Sequence, residues 1–151
     1  MIKKTTLCYI EKNDCYLMLL RNRKQNDVNE GKWIGIGGHF EEGETADECL
    51  LREVKEETGL TLTVYAYRGL VHFRTDSGAD EDMYLYTADG FAGTLIDCDE
   101  GELHWIPKKD LGGLRLWEGD RIFLEKLAAG ESGFEITLEY RGDQLWKSIC
   151  R

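Results

Sequence analysis

Three glutamates, Glu53, Glu56 and Glu57, stand at i, i+3 and i+4, the spacing that puts side chains on one face of an α-helix. Ala46, Cys49 and Leu50 lie seven residues before them in turn, which is nearly two helical turns. The face that begins apolar therefore ends in three carboxylates. A solvated acidic face lies opposite the apolar stripe of a helix. Here the acids continue the stripe, so they are expected to point at the protein body or a cleft. Like charges at i, i+4 cost roughly 0.2–0.5 kcal/mol even when exposed, and more when buried unless a proton or a cation neutralises them. Oxygen-only donors suit Mg²⁺, Mn²⁺ or Ca²⁺ better than zinc. The pattern points to a divalent metal site, with a structural acidic patch as the alternative.

The elements that must hold these acids are readable around them. Thr45–Thr58 is the clearest helix: Thr45 with Glu48 forms a capping box, and Gly59 suits the left-handed position after the last turn. Before it, Trp33–Gly38 is glycine-dense, with Gly35, Gly37 and Gly38 permitting close backbone approach. Lys4–Ile10 and Cys15–Leu20 read as strands joined by the polar turn Glu11–Asp14. Arg21–Gly31 is a polar loop; with Lys32 just after it, it brings Arg21, Arg23 and Lys24 as candidate phosphate partners, Arg23 first among them. Strand-like segments follow near Leu62–Phe73, Met83–Thr87 and Leu103–Ile106. Then come a helix over Glu118–Ala129 and a closing hairpin, Glu135–Tyr140 with Gln144–Ile149. Strands on both sides of two helices predict a mixed sheet between helices, an α/β/α layering.

The stretch from Gly38 to Leu60 resembles the Nudix box, a glycine, five residues, a glutamate, seven residues, then R-E-U-x-E-E-x-G-U with U aliphatic. It reads Gly38, Glu44 and Arg52-Glu53-Val54-Lys55-Glu56-Glu57-Thr58-Gly59-Leu60, a match at every fixed position over 23 residues. The flanking arrangement is similar to the MutT-type branch. The resemblance implies a Nudix fold with a loop–helix–loop catalytic motif and hydrolysis of a phosphoanhydride bond. Glu53, Glu56, Glu57 and the Gly37 carbonyl would hold Mg²⁺ or Mn²⁺, and Glu100 in Asp97-Cys98-Asp99-Glu100 would add an acid from a later loop. Arg52 and Glu44 would pair to brace the loop, Glu44 being a possible helper in catalysis, and Glu53 would be the general base. Gly38 would lie against the substrate.

The same branch implies an oxidised purine nucleoside triphosphate such as 8-oxo-dGTP as substrate, giving the monophosphate and pyrophosphate. Trp117 would stack on the base and Asp120 or Glu118 would accept from its edge; the alternative is that Trp117 is core and Glu118 only an acid of the helix's first turn. Another nucleoside diphosphate derivative, ADP-ribose or a dinucleotide polyphosphate, is the second reading, and a nucleotide-binding module without turnover the third. Ile34, Gly119 and His39 depart from residues common in the family and leave the base preference open. His72 and His104 read as packed or edge residues, Trp33 as a wedge for the glycine-rich loop and Trp105 as core.

Composition sets the outer bounds. The 151 residues, 42% hydrophobic and 32% charged, read as one domain over 1–151. A formal net charge of −10 argues against a groove for long nucleic acid and leaves a small phosphorylated partner screened by metal or local cations. No apolar run reaches membrane length, and the N-terminus leads directly into a strand, so neither a membrane span nor a signal peptide is expected. Five cysteines, Cys8, Cys15, Cys49, Cys98 and Cys150, with no CxxC pair, read as reduced cytoplasmic thiols, mostly core, rather than as disulfides or a zinc site. Monomer and homodimer are both compatible with the sequence.

Overall fold

A computed structural model of the protein describes residues 2–23 and 26–151; the loop cation Lys24 therefore lies outside the described residues. Strands β1 (Lys3–Lys12) and β2 (Cys15–Arg21) close on Asn13 and Asp14, whose φ values of 51° and 61° are left-handed, as a two-residue type I′ hairpin requires. The glycine-dense stretch forms two short strands, β3 (Trp33–Ile34) and β4 (Ile36–His39). Helix α1 (Ala46–Thr58) carries the capping box expected from Thr45 and Glu48, and Gly59 ends it at φ 81° with its N–H on the Lys55 carbonyl.

Next come β5 (Thr61–Thr75), β6 (Glu81–Ala92), β7 (Gly101–Pro107), a 3-10 turn over Lys108–Gly113, α2 (Glu118–Ala128), β8 (Phe134–Arg141) and β9 (Gln144–Cys150). Strands β5 and β6 outrun their predicted bounds. Their apolar runs end early, but their backbones stay paired from Thr61 opposite Ala92 to Phe73 opposite Glu81.

The strands order as β3-β2-β1-β6-β5-β8-β9, with β4 pairing β1 and β7 pairing β2. Pairs β1–β6 and β5–β8 are parallel and the rest antiparallel, so the sheet is mixed. Leu50 and Val54 of α1 are buried in one core with Ile10, Leu19, Ile36 and Tyr86. Phe123, Leu124 and Leu127 of α2 are buried in another with Tyr9, Val71, Leu85, Ile136 and Leu138. Successive strand residues point to opposite faces, so the two cores lie on opposite sides of the sheet and the layering is α/β/α. Trp105, expected in the core, is half-buried and stacks on Phe91 at 5.8 Å.

His72 on β5 is more than a packed edge residue. Its Nδ1 lies 2.6 Å from Asp82 and its Nε2 2.6 Å from Glu135, and Arg74 donates to the same Asp82 at 3.0 Å. Burial works against charging the ring, but the two carboxylates outweigh it and raise the His72 pKa above its ordinary 6.5. A raised histidine pKa contributes stability that is complete below the unfolded value and lost as pH rises through the folded one. The melting temperature is therefore expected to lose this contribution as pH climbs past 6.5, and His72→Gln should flatten that part of the profile. Calorimetric melts from about pH 6 to about pH 9 check it; an identical slope in the variant would rule the clamp out.

Candidate active site

Helix α1 delivers its acids at three depths. Glu57 is buried, Glu53 half-buried and Glu56 exposed. The shared stripe predicted from spacing thus holds for Glu53 and Glu57, while Glu56 stands at the rim. Backbone approach fixes the inner two. The Gly37 N–H donates to Glu57 Oε2 at 3.0 Å. Gly38 packs so tightly on Glu53 that a Cβ there would lie 2.5 Å from its carboxyl carbon. Pairing of β4 with β1 sets both glycines, with Leu7 opposite Gly37 and Thr6 opposite Gly38.

Arg52 is the hub of the loop. It grips Glu44 with two hydrogen bonds, Nε to Oε2 at 2.6 Å and Nη2 to Oε1 at 2.9 Å. Bidentate pairing of this kind gives orientation as well as energy. The Arg52 bonds hold the Glu44 carboxyl down at about 2. The same guanidinium donates to Glu53 at 2.9 Å, Glu56 at 3.1 Å and the His39 carbonyl at 3.0 Å. His39 itself is exposed and faces Glu81 at 3.5 Å.

Glu100 reaches the cluster from the loop before β7. Arg21 Nη1 donates to it at 3.4 Å and is anchored in turn by Asp27 at 2.7 Å. Burial, and then the hydrogen bond and negative charge of Glu100, push the Glu57 carboxyl up to about 10. Burial also raises Glu53. Without a cation, the inner carboxyl stays neutral by keeping its proton. A divalent ion neutralises several such groups together, and an all-carboxylate set is what hard cations select. Glu57 and Glu100 bring carboxylate oxygens within 4.8 Å of each other, with the Gly37 backbone beside Glu57 and with Glu53 half-buried and Glu56 at the rim of the same helix, donors of the kind a hard cation takes.

A cleft of about 780 Å³ runs from these acids to an aromatic end, within the range of small-ligand pockets. Glu53, Gly38 and Glu100 line it together with Leu7, Ile34, Phe73, Met83, Trp117, Asp120 and Tyr140. Trp117 is half-buried and tethered: its Nε1–H donates to Asn29 Oδ1 at 2.7 Å, and its ring meets Tyr140 edge-on at 5.3 Å. Lys32 Nζ sits 4.2 Å from its ring centroid. Asp120 is 4% exposed, and burial pushes it up to about 7. Its carboxylate makes no side-chain hydrogen bond among the described residues.

The sequence-predicted residues do not all converge. Arg23 does not line the cleft; its Nη1 donates to the Cys98 carbonyl at 2.7 Å and so steadies the loop that carries Glu100. Glu118 does not line it either, whereas Asp120 does. Two groups escaped sequence reading. Thr5 lines the cleft, and its Oγ1 is buried with no hydrogen-bond partner among the described residues; its signal was the alternation of Thr5, Leu7 and Tyr9 along β1. Asn29, which orients Trp117, carried no signal.

The Nudix domain model matches residues 1–127, and the chain belongs to that family. It is a Nudix hydrolase. It is similar to the Nudix hydrolase YvcI of Bacillus subtilis, 26% identical over 144 residues that span 92% of this chain and 87% of the relative. It is also similar to the oxidized purine nucleoside triphosphate hydrolase of Mus musculus, 30% identical over 111 residues, 72% and 70% of the two chains. Among solved structures, the mutator MutT protein of Bacillus halodurans shares its fold with a TM-score of 0.88 at 24% identity, over 99% of this chain and 97% of that one. Among the described residues no helix is long and apolar enough to cross a membrane.

Proposed function

We propose that this Nudix hydrolase, as one domain over 1–151 acting in the cytoplasm, converts a purine nucleoside triphosphate to the monophosphate and pyrophosphate with Mg²⁺ or Mn²⁺, and that oxidised purines are its preferred bases. The observation that carries the reading is that Glu53 of α1 and Glu100 line the same substrate-sized cleft as Trp117 and Asp120. The relatives named for oxidised purine nucleoside triphosphates support the choice of base.

Glu53, Glu56, Glu57 and Glu100 would hold the metal, with the Gly37 carbonyl as a further ligand. A bound divalent ion supplies charge neutralisation of the phosphate oxygens and a lowered pKa for water. Arg52 keeps Glu53 in place through its 2.9 Å bond, so that Glu53 can take the proton of the attacking water. Water attacks phosphorus, one P–O bond of the anhydride breaks, and pyrophosphate departs. At the other end Trp117, locked by Asn29 and Tyr140, offers a flat face to the purine. Asp120, which burial pushes up to about 7, can serve a donor or an acceptor on the base edge.

Comparing kcat/KM for 8-oxo-dGTP, dGTP and ADP-ribose tests the reading. Trp117→Ala and Asp120→Ala should each lose about tenfold or more on the purine triphosphates, ~1.4 kcal/mol of transition-state binding. A wild type that prefers ADP-ribose, or variants that match it on every substrate, would move the activity to another nucleoside diphosphate derivative.

The metal leaves its own signature. An ion that binds only the folded cluster stabilises it by about 2.7 kcal/mol at ~100 times its Kd. Thermal melts with Mg²⁺ are expected to shift upward, and EDTA to abolish both the shift and the activity. A melt indifferent to Mg²⁺ would contradict a preformed site.

A further inference from the structure

One donor beside the α1 carboxylates is not an oxygen. The Sγ of Cys98 and one carboxylate oxygen each from Glu57 and Glu100 all lie within 4.8 Å of one another. Cys98 is 3% exposed, and among the described residues no side chain hydrogen-bonds its thiol. Its place is built rather than incidental. Arg23 Nη1 grips the Cys98 carbonyl at 2.7 Å, and Cys98 pairs with Gly101 in an antiparallel bridge just ahead of β7. The turn that brings Glu100 to the cluster therefore brings the sulfur with it.

We propose that the centre has a second coordination mode, in which Cys98 Sγ joins Glu57 and Glu100 around a thiophilic divalent ion of the zinc type, in competition with the oxygen-only mode used by Mg²⁺. The inference rests on the reading of these acids as the metal centre. Mg²⁺ is hard, keeps to oxygen and has no use for the sulfur. Zinc takes thiolate sulfur at about 2.3 Å and carboxylate oxygen at about 2.0–2.2 Å, so donors already grouped this closely reach it with small side-chain rotations. On binding, the thiol gives its proton to solvent and coordinates as thiolate. Three protein donors leave the fourth tetrahedral position to water or a phosphate oxygen. Glu57 and Glu100 serve both modes, so an ion held with Cys98 withdraws them from Glu53 and Glu56. Zinc is thus an inhibitor of Mg²⁺-supported turnover.

The sequence pattern hid this donor. Five scattered cysteines without a CxxC pair carry no zinc signature, and the thiol meets its partners only because the loop before β7 folds back onto α1.

Cobalt(II) reports the mode directly, since a thiolate ligand adds a sulfur-to-metal charge-transfer band that oxygen ligands do not give. The experiment uses the full chain with Cys15→Ser and Cys150→Ser, which removes the two thiols that are not buried. That protein should show the band on adding one equivalent of Co²⁺. Cys98→Ser, with Cys98→Ala as a second variant, should abolish it. Zinc affinity from competition with a chromophoric chelator should fall relative to Mg²⁺ affinity by about tenfold or more. Absence of the band before Cys98 is changed, or its survival in both variants, overturns the proposal. A normal Mg²⁺ melting shift beside a missing band sinks the role of Cys98 alone. Loss of Mg²⁺, Zn²⁺ and Co²⁺ binding together sinks the metal centre as well.

Discussion

Glu57→Gln is expected to lower Mg²⁺-supported kcat by about a hundredfold or more, ~2.7 kcal/mol of barrier, while the fold survives. The amide keeps the size of the carboxyl and can still accept the Gly37 N–H that now reaches Oε2 at 3.0 Å. What it lacks is the charge that draws the cation. The metal-free protein should behave in the opposite sense. Burial and Glu100 raise the Glu57 carboxyl from 4.5 to about 10, so the folded state keeps a proton that the unfolded state releases above 4.5. Such a group makes metal-free stability decline as pH rises between those two values. Glutamine does not titrate and escapes that decline, so in EDTA near neutral pH the variant should melt at or above wild type. Glu56→Gln should also reduce kcat severely, but without the stability gain, because Glu56 is exposed. Steady-state kinetics at saturating Mg²⁺ with melts in EDTA give both readings. Near wild-type turnover in both variants would remove these glutamates from the metal centre.

Local sequence grammar made the catalytic element legible. The Thr45–Glu48 box, Gly59 and the i, i+3, i+4 acids specify a helix, its two ends and the side that carries charge, and all of that information lies within one short segment. The β1–β2 hairpin was equally local, closed by Asn13 and Asp14. The lengths of β5 and β6 were not legible, because their ends are held by backbone pairing, with each other and, at Arg74 and Thr75, with β8, rather than by an apolar pattern. Depth was also hidden. Spacing gave Glu53, Glu56 and Glu57 one face, but only the packing of β4 against α1 buries Glu57 and leaves Glu56 in solvent. Residues that act through long-range partners escaped for the same reason. Asn29 meets Trp117 across 88 positions and His72 meets Glu135 across 63, and nothing near either residue in the chain announces the contact.

The glycine-rich loop yields the second large effect, and it separates site from scaffold. A Cβ at Gly38 would lie 2.5 Å from the Glu53 carboxyl carbon and 2.6 Å from both of its oxygens, well inside the roughly 3.5–4.0 Å of ordinary contact. The obstacle is the tip of a flexible side chain, so the backbone has no need to move. Gly38 also lacks a left-handed φ, and alanine meets no conformational strain there. The methyl group must therefore push the Glu53 carboxylate aside by about an ångström, off its Arg52 bond, and a displacement of that size costs about a hundredfold in rate. Gly38→Ala is accordingly expected to lose about two orders of magnitude in kcat with its melting temperature nearly unchanged. Gly37→Ala is the contrast, since its Cβ would lie 1.9 Å from the Thr6 carbonyl oxygen on the paired strand β1. Backbone on both sides leaves nothing to rotate away, so this neighbour should lose stability as well as activity. Kinetics and calorimetry on the two alanine variants decide the point. Full activity in Gly38→Ala would show that Glu53 works from a position other than the one it holds against this loop.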